Sequence, residues 1–253
     1  MSHWFRCVVP RPDAAVRLFC FPHAGGSAVF YQTWPRRIAR DVELTAVQYP
    51  GRSDRMAEPI VEDAPTLVRL VTTAMLPLCD RPVALFGHSM GAVVAYEVAR
   101  SLQTLGAAPA HLFVSGHRSA DLPGDVRYSE QDDDTLVETL TWMGGTDVEV
   151  FADPDLRELV LPYVRGDFRL LDGYEHLPEP LLSAPITSIM GADDPVDSAD
   201  LAARWGGLTS GAFAQRVLPG DHFYLVPYRD EIIAEIEARL RDVIDRRVRS
   251  SGS

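Results

Sequence analysis

The sequence predicts an α/β fold: a mostly parallel central sheet flanked by helices, with a helical insertion late in the chain. Three observations carry this. Short apolar runs that read as buried strands recur along the chain with helical patterns between them. Residues 82–96, Pro-Val-Ala-Leu-Phe-Gly-His-Ser-Met-Gly-Ala-Val-Val-Ala-Tyr, read as strand, sharp turn and helix. From about Asp121 to Ser183 no good strand is found, only helical runs. The length of 253 residues suits one large α/β domain with an insertion. We therefore expect a single domain over 1–253, with a lid at about 121–183.

Composition excludes several function classes. The net charge of −12 argues against nucleic acid and anionic membranes as partners. Every basic residue is arginine, so no lysine can serve as a nucleophile or Schiff base. The three cysteines (Cys7, Cys20, Cys79) show no Cys-x-x-Cys spacing, so neither a disulfide framework nor a zinc site is expected. No cofactor or metal is expected. No apolar run approaches the roughly 18–20 residues of a membrane helix, and the start lacks the apolar core of a signal peptide. A cytoplasmic location is the expectation.

In order along the chain, Val16–Phe21 reads as a strand buried on both faces, closed by Pro22-His23-Ala24-Gly25-Gly26-Ser27. The glycine pair lets the backbone turn tightly and approach a ligand. His23 is expected to brace this loop by hydrogen bonding. A helix is expected over Val29–Arg40, then a strand at Glu43–Gln48 ending in Tyr49-Pro50-Gly51-Arg52. Arg52 and Arg55 fall near a strand's C-terminal edge, as solvated arginines or as partners for phosphate or an acidic protein. Asp63 caps a helix running to Leu78, with Pro65 in its first turn. The elbow helix runs to about Leu105 and stops at Gly106, and His111–Ser115 is the next strand. In the insertion, helices are expected at Asp133–Met143, Pro154–Val164 and Phe168–Tyr174, broken by Gly144-Gly145, Pro162 and Gly166. Trp142, Met143, Phe151, Tyr163, Phe168, Leu170 and Leu171 supply its apolar matter, a minority of them facing an acyl channel. The core resumes with a strand at Pro185–Met190, a helix over Ser198–Trp205 and a last strand at Gln215–Leu218. A C-terminal helix over Asp230–Arg247 has one apolar face, and residues 249–253 are a frayed tail.

The chemistry lies in the loops. Gly87-His88-Ser89-Met90-Gly91 is a Gly-x-Ser-x-Gly turn between strand and helix. The glycines remove side chains that would clash, and the turn pushes Ser89 Oγ out of the sheet above a helix N-terminus. That end offers free N–H groups and a partial positive charge to a developing oxyanion. A serine hydroxyl needs a base, and the base needs an acid to orient it. On α/β-hydrolase folds these follow in the order Ser, Asp or Glu, His, each after a strand. Here Ser89 is followed by Asp193-Asp194 and then His222. Asp194, at the apex of the turn before Pro195, is preferred as the acid, with Asp193 capping or facing solvent. Met90 and Ala24 are the expected oxyanion donors. Spacing alone thus describes a serine acyl hydrolase on an α/β-hydrolase fold. A carboxylester hydrolase or lipase fits it equally, and a binding-only scaffold fits it less well.

Four motifs narrow this. Phe-Pro-His-Ala-Gly-Gly at 21–26, Tyr-Pro-Gly-Arg at 49–52, Gly-His-Ser-Met-Gly at 87–91 and Gly-Asp-His-Phe at 220–223 resemble those of type II thioesterases. These are the stand-alone editing enzymes of polyketide and nonribosomal peptide assembly lines. The similarity covers nearly the whole chain, and its start is similar to that of the discrete members. The resemblance implies a substrate: an acyl thioester on the phosphopantetheine arm of an acyl or peptidyl carrier protein. It implies a role, removal of stalled or wrong acyl groups, and matches Ser89, Asp194 and His222 to the triad and Ala24 and Met90 to the oxyanion donors. A monomer is expected. Docking an acidic carrier on an acidic chain calls for a local basic patch, with Arg36, Arg37, Arg40, Arg52 and Arg55 as candidates.

Overall fold

The computed structural model describes residues 3–144 and 148–251. Within them the strands are β1 (Phe5–Arg6), β2 (Val16–Phe21), β3 (Val42–Val47), β4 (Val83–His88), β5 (His111–Ser115), β6 (Ile186–Gly191) and β7 (Phe213–Leu218). They form one sheet in the order β1-β3-β2-β4-β5-β6-β7. Only β1 runs antiparallel; Phe5 pairs with Val47. Strands β2 to β6 are buried along their whole length; β2 and β4 read accordingly as mostly apolar runs, while β3 also buries Glu43 and Thr45 and β6 buries Thr187 and Ser188. The two-residue β1 is too short to leave a periodic signal and was not anticipated.

The chain leaves β2 for β3 on one side, then crosses back to β4 on the other, and all later strands add beyond it. The order therefore reverses between β2 and β4, where ligands bind in open α/β sheets. In the register Phe21 lies beside Gly87, His88 beside Ser115 and Gly191 beside Leu218. The loops after β2, β4, β5, β6 and β7 thus emerge along one edge.

Helices cover both faces. On one lie α1 (Ala64–Met75) and α2 (Met90–Thr104), whose Leu67, Val71, Val94 and Val98 pack with Phe19 and Leu85 of the sheet. Asp63 caps α1 by accepting from Thr66 N–H at 2.8 Å. On the other face Ile232, Ile236 and Leu240 of the C-terminal helix pack with Leu18, Phe86 and Phe113. Between β5 and β6 come α3 (Asp133–Met143), α4 (Val148–Ala152) and α5 (Pro154–Asp172). The chain then passes through α6 (Ala199–Ala203) and ends in α7 (Arg229–Ser251). Among the described residues no helix is long and apolar enough to cross a membrane.

Several expected boundaries differ. The helix expected over Val29–Arg40 is two 3-10 turns, Ala28–Tyr31 and Trp34–Arg36. Pro35 has no N–H to donate to the Tyr31 carbonyl, which interrupts an α-helical ladder there, and the buried Tyr31 and Trp34 rings meet edge to face, 5.2 Å apart. The helix expected over Ser198–Trp205 is the shorter α6, capped by Ser198, and continues as a 3-10 turn over Arg204–Leu208. The insertion's last helix is one rod, not two. Pro162 and Glu158 are both exposed, so the carbonyl that proline leaves unpaired belongs to a residue in contact with water. Gly166 is there for close approach: a Cβ on it would come within 2.7 Å of Ile60. Gly144 does end α3, in the left-handed conformation, while Gly145 lies outside the described residues. Helix α7 reaches Ser251, past the expected fraying at residue 249; residues 252 and 253 lie outside the described residues.

Candidate active site

The turn between β4 and α2 holds Ser89 at φ 54° and ψ −123°, a conformation that a non-glycine residue adopts only under constraint from its surroundings. The constraint is visible at the two glycines. A Cβ at Gly87 would sit 2.0 Å from the carbonyl oxygen of Gly91, and one at Gly91 would sit 2.2 Å from that of Phe21. Helix α2 therefore starts directly against the end of β2. Its first N–H groups, Met90 among them, have no partner within the helix and are available to an anion.

Across the edge, His222 Nδ1 lies 2.9 Å from Asp194 Oδ2. Asp194 Oδ1 in turn accepts from the N–H groups of Val196 at 2.9 Å and Asp197 at 3.4 Å. Both side chains are buried, at 0% exposure for Asp194 and 3% for His222. The carboxylate is thus locked before it meets the ring, and the ring's other nitrogen is left for chemistry. Asp193 is exposed, and its N–H donates to the carbonyl of Gly220 at 2.9 Å. Of the adjacent aspartates, the one brought to His222 is Asp194.

Beneath the pair lies a chain of buried polar groups. Tyr224 Oη donates to the carbonyl of Ile189 at 2.7 Å. It must then accept from Ser115 Oγ at 2.6 Å, and Ser115 must accept from His88 Nδ1 at 3.0 Å. This makes His88 the Nδ1–H tautomer, with its ring centre 5.1 Å from that of His222. Burial, with His222 and His23 close by, pushes its pKa well down and keeps it neutral. His23 braces the first loop, but not by the hydrogen bonding expected of it: its Nδ1 has no hydrogen-bond partner among the described residues. It packs edge to face on Phe30 at 4.8 Å and on Phe223 at 4.9 Å, joining the loop after β2 to the loop carrying His222. Burial first, then His222 and Arg52, lowers its pKa to about 3.

Ser89, His222 and Ala24 line a cavity of about 730 Å³. The insertion supplies much of the remainder through Trp142, Met143, Phe168 and Leu171. Phe151 and Leu170 are buried in the packing instead, and Tyr163 stacks on Arg52 at 4.8 Å. Among the described residues no group of His, Cys, Asp or Glu is placed to hold a metal ion.

Arg52 and Arg55 are neither solvated nor available to a partner. Arg52 is 2% exposed and forms a bidentate ion pair with Asp167 of α5, at 2.5 and 2.7 Å. Arg55 is also buried, held by Glu58 and the carbonyl of Gln48, with its guanidinium 4.2 Å above the Trp4 ring. Of the five basic candidates for docking, Arg36, Arg37 and Arg40 stay exposed, and Arg37 pairs with Asp230. Sequence reasoning missed both Asp167 and Asp197. The latter is buried and receives Arg118 Nε at 2.5 Å and Arg118 N–H at 2.8 Å, fastening the loop after β6 to the loop after β5. Neither carries a local signal, because each partner is remote in the chain.

Residues 16–240 match the family model described as the thioesterase domain. The chain is 41% identical to the probable cadicidin biosynthesis thioesterase of Streptomyces griseus over 94% of its own length and 66% of that protein's. It is 39% identical to thioesterase PikA5 of Streptomyces venezuelae, over 94% of this chain and 85% of the other. Among solved structures, the type II thioesterase BorB from the borrelidin biosynthetic cluster superposes with a TM-score of 0.85 at 35% identity. That match covers 95% of this chain and 97% of the other.

Proposed function

The chain belongs to the thioesterase family, whose chemistry is thioester hydrolysis, and from that premise we propose an editing role on carrier-bound acyl groups. Its substrate is an acyl thioester on the phosphopantetheine arm of an acyl or peptidyl carrier protein of polyketide or nonribosomal peptide synthesis. The role is release of stalled or aberrant acyl groups, in the cytoplasm and as a monomer, with residues 121–183 as a lid on a single domain. The observation that supports it best is that His222, held by the buried Asp194, lines one cavity with Ser89 and with residues of the insertion. The names of the two curated relatives place those proteins among thioesterases, one of them in the biosynthesis of cadicidin.

In this reading Ser89 Oγ attacks the thioester carbonyl while His222 Nε2 takes its proton. The Ala24 and Met90 N–H groups hold the oxyanion, and the C–S bond breaks as the pantetheine thiol leaves with that proton. Water, deprotonated by His222, then attacks the acyl-serine ester, freeing the acid and restoring Ser89. Asp194 keeps Nδ1 protonated and the ring aimed, and balances the imidazolium in both halves.

The test is turnover of an acyl-pantetheine thioester and its oxygen ester by the protein and its Ser89→Ala variant. Thioester hydrolysis that exceeds ester hydrolysis and vanishes in Ser89→Ala is the expected result. Undiminished turnover in the variant sinks the assignment of Ser89, and a preference for the oxygen ester points to a carboxylester hydrolase.

A further inference from the structure

The geometry points to Arg52 and Asp167 as positioning residues that aim the oxyanion loop, so that the insertion's last helix takes part in setting up the catalytic site. This rests on the reading above, in which the Ala24 N–H faces the oxyanion.

Asp167 sits on α5, 115 residues from Arg52 in sequence. Its Oδ2 accepts from Arg52 Nη1 at 2.5 Å and from the Gly25 N–H at 2.7 Å, while Oδ1 takes Arg52 Nη2 at 2.7 Å. Arg52 Nη1 also donates to the carbonyl of Gly26 at 3.3 Å. The guanidinium lies between the rings of Tyr49, 5.4 Å away, and Tyr163, 4.8 Å away. The two charged side chains are 3% and 4% exposed. One buried ion pair thus grips the residues on the C-terminal side of Ala24 from both directions.

The consequence for Ala24 follows from peptide planarity. The Gly25 N–H is pinned to Asp167, so the peptide plane between Ala24 and Gly25 cannot rotate. The Ala24 N–H shares a peptide plane with the His23 carbonyl, and that carbonyl accepts from the Gly26 N–H at 2.9 Å while the His23 ring packs on Phe30 and Phe223. With both neighbours fixed, the Ala24 N–H has one direction available. Helix α5 also closes the space behind: Gly25 has φ 77°, and a Cβ on it would meet Val164 at 3.0 Å. Val164 and Asp167, one turn apart on the same helix, therefore hold the loop by contact and by hydrogen bond together. A buried ion pair is weak evidence for stability, since apolar residues of similar volume often serve as well. Its value here is directional, because a guanidinium fork and a carboxylate fix orientation in a way that apolar contact does not.

Loss of the grip should appear in the transition state and not in ground-state binding, because the oxyanion exists only there. In Asp167→Asn the amide fills the same space without the charge. Its kcat on an acyl-pantetheine should fall about 10- to 100-fold with KM little changed, less than deletion of a donor because the N–H is misaimed and not removed. Affinity for a trifluoromethyl ketone analogue, which Ser89 converts to a hemiketal oxyanion, should weaken by the same factor, while affinity for the unreactive thioether analogue stays constant. Arg52→Lys keeps a cation beside Asp167 but loses the fork, and should show the same pattern more mildly. It decides the matter if Asp167→Asn does not fold. An unchanged kcat, or ketone and thioether weakened alike, overturns the inference. If the unmodified protein hydrolyses oxygen esters but not thioesters, the proposed function falls while the positioning role is still read with the ester.

Discussion

At the residue scale the aspartate proposed as the acid shows how a turn selects between identical neighbours. Asp193 and Asp194 differ in nothing but position, yet Asp194 accepts from the N–H groups of Val196 and Asp197 and reaches His222, while Asp193 faces solvent. An amide at 194 would present a donor to one nitrogen or force the wrong tautomer on the ring. We predict that Asp194→Asn lowers kcat by about 10⁴, the loss seen when a triad aspartate becomes an amide, and that Asp193→Asn stays near the parent rate. Steady-state turnover of the two variants side by side checks this. A large loss confined to Asp193→Asn would reassign the acid. The place of Asp194 beside His222 was legible because the turn before Pro195 that aims it is built from adjacent residues, with the Val196 and Asp197 N–H groups holding the carboxylate. Arg52 was not: its partner lies on a different element, and a turn arginine followed by polar residues reads as solvated until the packing against α5 is known.

At the element scale, strands and capped helices were legible because their causes are local. Strands β2 and β4 are mostly apolar runs, α1 starts where Asp63 can accept from Thr66, and α3 starts where Asp132 accepts from Asp134 and Thr135. Helix α5 was misread as two because proline and glycine are local breakers whose meaning depends on what packs beside them. Gly166 lets α5 lie on the segment at 60–62, which Arg169 joins through Glu62 at 2.7 Å. Its substitution separates the two roles. As a mere weak point in a helix, Gly166→Ala would stabilise by up to about 1 kcal/mol. As a close-approach residue it should destabilise by about 1–3 kcal/mol, because the added methyl must displace Ile60. Urea unfolding gives the sign. Gly91→Ala should be worse, since its methyl would meet the rigid backbone of β2 at 2.2 Å and not a side chain, and should yield little folded protein.

At the scale of the whole molecule, the arrangement that concentrates the site also buries histidines, and this makes stability depend on pH in a definite direction. Burial above all lowers the pKa of His23 to about 3 and of His111 to about 4, and drives that of His88 well down. An unfolded chain protonates each near 6.5. Below that pH the unfolded state binds protons that the native state refuses, so stability is fully present above about pH 7 and is lost as pH falls toward 4. Each such group contributes a slope of up to about 1.4 kcal/mol per pH unit inside the window, and three together up to about 4. A competing effect has the opposite sign. The chain carries −12 at neutral pH and has a pI of about 5.0, so acidification also relieves self-repulsion. That relief acts among exposed charges and is screened beyond about 8 Å at physiological salt, whereas the histidine effect is buried and indifferent to salt. The histidines should therefore win. We predict that the urea midpoint falls steadily from pH 7 to 4.5, and more steeply at high salt, where the opposing relief of surface repulsion is screened, than at low salt. His111 bonds Thr187 through Nε2 at 2.9 Å, stacks on Phe113 at 4.3 Å and is not among the residues that line the cavity with Ser89 and His222. His111→Gln keeps a polar partner for Thr187 and should remove up to about a third of that slope while leaving turnover intact. A midpoint that rises on acidification, or a slope unaltered in His111→Gln, would show that surface charge and not buried imidazole governs the acid response.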